Sequence, residues 1–79
     1  MTNALPRLAI IGIGLIGSSI ARAALRARSV EGITVIDQNP DHLSTAVNLR
    51  LGDRFSRDLS QANDADFVIL ATPLSLIHI

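Results

Sequence analysis

The run Gly12-Ile13-Gly14-Leu15-Ile16-Gly17 follows the apolar residues Leu8 to Ile11 and contains the residue types that can hold a phosphate with backbone alone. Glycine at the first position lets the chain turn sharply off a strand. At the second it removes the Cβ that would block close approach of a pyrophosphate, and at the third it lets a helix pack tightly on that strand. Free N–H groups at the start of the helix then face the anion, helped by the positive end of the helix dipole. Asp37 closes the next apolar run, twenty residues beyond Gly17 (37 − 17 = 20). A carboxylate there can accept hydrogen bonds from both hydroxyls of an adenosine ribose.

Loop and acid together imply a dinucleotide cofactor, NAD, held by Gly12, Gly14, Leu15, Ile16, Gly17 and Asp37. Thr72, at the end of a later apolar run, is expected on the same edge. Asp37 would repel a 2′-phosphate, and Gln38 and Asn39 after it supply no arginine to pair with one, so NAD is favoured over NADP. A P-loop is excluded, because it needs a lysine and the chain has none. The plainer readings are a flexible glycine turn and, for Asp37, a turn residue before Asn39-Pro40. Both are outweighed by context: Arg7 opens the preceding strand, Leu8 and Ile10 face inward, and Ile20 and Ala24 extend the helix face beyond the glycines.

The elements that must position these residues follow from the apolar pattern. Arg7 to Ile11 reads as a strand buried on both faces, which implies a parallel, helix-covered sheet. Leu15 to Arg28 reads as a helix with an apolar stripe of Ile16, Ile20, Ala23, Ala24 and Ala27, and with Arg22 and Arg26 on a solvated face. Ile33 to Ile36 is a second strand after a Glu31-Gly32 turn. A helix opens at Pro40, with Asp41 favouring its dipole and His42 exposed in its first turn, and is expected to run through Leu51 to a stop at Gly52. A short strand over Arg54 to Ser56, a helical turn through Leu59 to Asn63 and a strand over Phe67 to Ala71 complete the series. Alternating strands and helices give right-handed crossovers and sheet order three, two, one, four. The fold class is therefore α/β: a Rossmann-type parallel sheet with helices on both faces, first half only, with Gly12, Asp37 and Thr72 meeting at the C-terminal edge.

Composition bounds the rest. The chain has 79 residues, 48% of them hydrophobic, which gives a thin Ile/Leu/Val/Ala core and reads as part of a larger protein. Seven arginines balance seven acids, so there is no basic field for a nucleic-acid partner. Cysteine is absent, and His42 and His78 stand too far apart in sequence to suggest a metal pair, so no metal site is expected. Glycines interrupt the apolar N-terminal run and arginines follow it, which argues against a signal peptide. The run is also too short for a membrane span, so a cytoplasmic location is expected.

The stretch Leu8 to Ala21 resembles the opening of the prephenate and arogenate (cyclohexadienyl) dehydrogenase family, whose loop reads Gly-Leu-Ile-Gly followed by Gly or Ser and then Ser. Asp37 with Asn39-Pro40, the lead Ala65-Asp66 into Phe67-Val68-Ile69-Leu70, and the closing Ala71-Thr72-Pro73 are similar to that family too. Hydroxyisobutyrate-type dehydrogenases and pyrroline-carboxylate reductases share the last of these pieces, and a non-catalytic nucleotide-sensing module could reuse the loop. The resemblance implies an enzyme that transfers hydride from a cyclohexadienol ring to NAD with loss of carboxylate, in tyrosine biosynthesis. Its small-molecule substrate would be prephenate or arogenate, and a second, helical domain would form a homodimer. The family's catalytic residues fall beyond this half, so no residue here is assigned a catalytic role and the piece alone is expected to be inactive.

Residues 1–73 are accordingly read as the N-terminal part of an NAD-binding domain. Leu74-Ser75-Leu76-Ile77-His78-Ile79 departs from the family and can be read back into the codons of a transposon-end sequencing adapter, so 74–79 are expected to be a non-native tail.

Overall fold

The computed structural model describes residues 5–71. Four strands, β1 (Arg7–Ile11), β2 (Gly32–Ile36), β3 (Arg54–Ser56) and β4 (Phe67–Leu70), form one parallel sheet in the order β3-β2-β1-β4. Helix α1 (Leu15–Ala27) joins β1 to β2 and α2 (Pro40–Asn48) joins β2 to β3; a 3-10 turn over Leu59–Asp64 leads into β4. This is the expected fold class and strand order. Register pairs Leu8 with Ile33 and Ile10 with both Val35 and Ile69, so these side chains share one face of the sheet. All are buried or packed against the core that α1 and α2 cover with Ile20, Ala21, Ala24, Leu43 and Ala46. The connection from β3 to β4 crosses from one edge of the sheet to the other, and its 3-10 turn meets β1 and β2.

Burial grades from the centre outward. Every residue of β2 is buried, as an internal strand between two crossovers requires, whereas Phe67, Val68 and Leu70 of the edge strand β4 are exposed. The stripe expected on α1 is displaced: Ile16, Ala23 and Ala27 are exposed, and the buried face runs Gly17, Ile20, Ala21, Ala24. The third glycine fixes that rotation, because a Cβ on Gly17 would lie 2.5 Å from the Gly12 carbonyl oxygen and 3.2 Å from Ile10 Cγ2. Helix and strand touch there, and the neighbouring Ile16 is turned outward.

Both helices end on an arginine in the left-handed region. Arg28 (φ 51) donates its N–H to Leu25 O while Ser29 N–H reaches Ala24 O; Arg50 (φ 54) and Leu51 repeat the pattern on Val47 O and Ala46 O. These paired bonds satisfy the last carbonyls of each helix. Helix α2 therefore stops at Asn48, three residues short of the expected Leu51, and Leu51 turns back into the core at 2% exposure. Gly52 serves close approach to β2, since a Cβ there would stand 2.5 Å from Ile33 O. Gly32, expected in a turn, is the first residue of β2.

At the N-terminal edge of the sheet the Arg7 guanidinium donates to Asp53 Oδ1 and Oδ2 (3.0 and 3.1 Å) and to Thr34 Oγ1 (3.5 Å). Asp53 Oδ1 also accepts Ile33 N–H at 2.8 Å, and Asp66 Oδ2 accepts Arg7 N–H at 2.8 Å. Burial works to raise the Asp53 pKa, but the hydrogen bond and charge of Arg7, with the Ile33 N–H, outweigh it and hold the carboxyl below its ordinary value.

Candidate cofactor-binding site

At the other edge, β1 ends at Ile11 and the chain turns at once. Gly12 takes φ 84, a conformation that favours glycine, and its N–H donates to Ile36 O at 2.7 Å. Ile13 is buried, and its N–H donates to Asp37 Oδ2 at 2.9 Å, so the acid at the end of β2 is tied directly to the glycine turn. Gly14 precedes α1. Among the described residues no side chain caps this helix, no acidic residue stands in its first turn, and an added Cβ at Gly14 would meet nothing within 4 Å. The three glycines thus divide into a turn, an open face and a close contact, in the order the sequence implied.

Asp37 is held on three sides. Besides Ile13 N–H, its Oδ1 accepts Asn39 N–H at 2.9 Å and its Oδ2 lies 3.2 Å from His42 Nδ1. Its side chain is 11% exposed, while that of His42 is 52% exposed. A cleft of 280 Å³ opens against these groups, bounded by Gly12 and Gly14 on one side, by Asp37, Asn39 and His42 on another, and by Leu59 and Ala71 across the sheet edge. A larger outer groove between α1 and α2 shares Gly14 and His42 with it and includes Leu15 and Arg22.

Of the residues expected in the site, Gly12, Gly14 and Asp37 line the cleft, and Gly17 stands behind it as the packing contact. Leu15 and Ile16 project from the first turn of α1, 90% and 66% exposed. Thr72 lies outside the described residues, as does the segment 74–79; Ala71, whose N–H donates to Ile11 O at 2.9 Å, is the last described residue at this edge. From the sequence, His42 reads as an ordinary surface residue in the first turn of α2. It is at the surface, but the first turn of α2 brings it back onto Asp37; the available signal was its place five residues after the acid, across the Asn39-Pro40 helix start. Leu59 had no such signal, since only the crossover brings the 3-10 turn to the cleft.

A parallel 3-2-1-4 sheet whose first strand ends in such a turn, with an acid from the second strand bonded to it, defines a Rossmann-type nucleotide-binding half-domain. The chain belongs to the family described as NADP oxidoreductase coenzyme F420-dependent, whose profile matches residues 7–78. It is 37% identical over 73 residues to a cyclohexadienyl dehydrogenase of Zymomonas mobilis, a match that covers 91% of this chain and 25% of the relative. Its fold superposes on prephenate dehydrogenase from Aquifex aeolicus in complex with hydroxyphenyl propionate and NAD+, with TM-score 0.81, 28% identity, and coverage of 95% of this chain and 27% of that one. It also resembles the WlbA dehydrogenase of Chromobacterium violaceum in complex with NADH and UDP-GlcNAcA, with TM-score 0.76, 36% identity, and coverage of 92% and 22%. The resemblance to prephenate and cyclohexadienyl dehydrogenases drawn from the sequence is thus supported. The chain spans about a quarter of the length of the curated relative it matches.

Proposed function

We propose that this chain is the NAD-binding N-terminal part of a prephenate or arogenate dehydrogenase, a cytoplasmic enzyme of tyrosine biosynthesis that is homodimeric through a further, helical domain. The observation that supports the cofactor assignment is the bond from Ile13 N–H to Asp37 Oδ2, which sets this carboxylate beside a helix N-terminus that no described side chain caps. The open space at Gly14 fits a pyrophosphate, whose oxygens would accept the first N–H groups of α1. Asp37 would accept the adenosine ribose hydroxyls, and its charge with Gln38 and Asn39 beside it favours NAD over NADP. Leu59, Ala71 and Asn39 bound the space left for the adenine. Bound there, NAD supplies a hydride acceptor for a cyclohexadienol ring that loses carboxylate and becomes aromatic. The residues of this half bind and orient the cofactor, and none of them is assigned to the hydride or proton transfer.

The substrate assignment rests on the relatives' names and on the fit to the Aquifex aeolicus fold. A second reading, another NAD-dependent dehydrogenase, is favoured by the similar fit to WlbA, because one nucleotide-binding half can serve many reactions. Assaying the full-length protein with prephenate, with arogenate and with neither separates the two. For the cofactor site, Asp37→Ser should weaken NAD binding by about tenfold or more, the loss of at least one charge-assisted hydrogen bond. It should also narrow the preference for NAD over NADP. Titration of full-length protein with both nucleotides measures this, and an unchanged preference removes Asp37 from the site.

A further inference from the structure

Asp37 already has more partners than a ribose-binding acid can keep. A carboxylate offers about four lone-pair sites, and three are taken here: Ile13 N–H on Oδ2, Asn39 N–H on Oδ1, and the His42 ring nitrogen on Oδ2. A ribose presents two neighbouring hydroxyls, so one of the three must yield before both can be gripped. The two backbone donors are fixed by the glycine turn and by the start of α2. His42 is the movable one: its side chain is half exposed, and it stands where the cleft and the outer groove meet.

We infer that His42 competes with the adenosine ribose for Asp37, so that its imidazole must leave Oδ2 for full binding and the strength of NAD binding depends on its protonation. This rests on the NAD-binding reading of the site above. A carboxylate cannot donate, so Nδ1 must carry the proton in the observed contact, either in the neutral Nδ1–H tautomer or in the imidazolium. The cation holds the carboxylate more strongly, because its hydrogen bond is charge-assisted. Among the described residues the charged groups around His42 are Asp37 at the end of β2, Asp41 beside it on α2 and Arg22 of α1 in the shared groove; the glycine turn adds no charged side chain. The competition should therefore be stronger in acid than at neutral pH.

The test measures the Kd of NAD for the full-length protein and for His42→Ala and His42→Gln between about pH 5 and 8, the window in which imidazole changes charge. Parallel titrations use NAD built on 2′-deoxyadenosine. The wild type should lose affinity by about tenfold toward the acid end, the cost of one charge-assisted hydrogen bond to be broken. Both variants should bind NAD at least as tightly as the wild type and with a flatter profile, and the deoxy analogue should show little of the acid loss. A variant profile parallel to that of the wild type, or a fall in affinity on removing His42 at every pH, overturns the proposal. If Asp37→Ser leaves NAD binding unchanged, the cofactor reading itself fails; if Asp37→Ser weakens binding while His42 changes nothing, only the competition fails.

Discussion

The two helices that begin at the C-terminal edge of the sheet treat their N-termini in opposite ways. Helix α2 is closed: Asn39 Oδ1 accepts Asp41 N–H at 2.8 Å, Pro40 brings no N–H to satisfy, and Asp41 sets a negative charge in the first turn. Helix α1 is open: Gly14 stands at the cap position, no described side chain caps it, and its first turn carries no acidic residue. A helix that lacked a function at this end would gain about 1 kcal/mol from an ordinary capping residue. The difference supports the proposal that α1 is the helix that receives an anion, and it is written in the residue types: Asn-Pro-Asp for one helix, Gly-Leu-Ile-Gly for the other.

Closing the open end should have the largest effect. Gly14→Asp places a carboxylate where the pyrophosphate would sit, supplying a cap and repelling the ligand together. NAD affinity of the full-length protein should fall by about a hundredfold or more, roughly 2.7 kcal/mol, while circular dichroism still reports a folded protein. Retained affinity would mean that the phosphates do not approach α1. Gly17→Ala comes next, and acts through packing. Its Cβ would collide with the Gly12 carbonyl oxygen, so the turn or the helix must shift, at a cost of about 1–3 kcal/mol in unfolding free energy. A stability equal to wild type in denaturant titration would show that the glycine contact is loose. Opening the closed end is the milder change: Asn39→Ala should cost about 1 kcal/mol of stability by the loss of a cap.

These contrasts also show what could be read from the residues and what could not. The strand order, the role of each glycine and the position of Asp37 were legible because backbone requirements act locally: a positive φ, a close approach and a strand end leave particular residue types at fixed spacing. The rotation of α1 was not. Ile16, Ala23 and Ala27 satisfy a helical period as well as Gly17, Ile20, Ala21 and Ala24 do, and the choice falls to a contact between Gly17 and Gly12 that no periodicity records. Helix stops were hidden because Arg28 and Arg50 occupy left-handed positions where glycine is the usual signal, at a conformational cost of roughly 1–2 kcal/mol each. Gly52, the visible candidate, serves a tertiary contact instead. His42 escaped notice because its partner is fixed by the angle at which α2 leaves β2, a property of the assembled turn.

The opposite edge of the sheet supplies the smallest test, because there the described polar groups bond one another. Arg7, largely covered at 13% side-chain exposure, bridges to Asp53 across β2, and Asp53 in turn holds Ile33 N–H. The folded-state pKa of Asp53 is lowered, so its contribution is fully present above the ordinary carboxylate value of about 3.9 and is lost as pH falls through the lowered value. Half of the Asp53 side chain is in water, which screens the pair and limits its worth to about 1 kcal/mol or less. Asp53→Asn keeps one acceptor oxygen for Ile33 N–H while removing the charge and the second acceptor for Arg7. Wild type should therefore exceed this variant in unfolding free energy by that small amount near neutral pH, and the gap should close in acid. NAD affinity should stay the same, since the cleft lies at the other ends of these strands. A change in affinity would mean that the edge built to be self-contained is coupled to the edge built to be open.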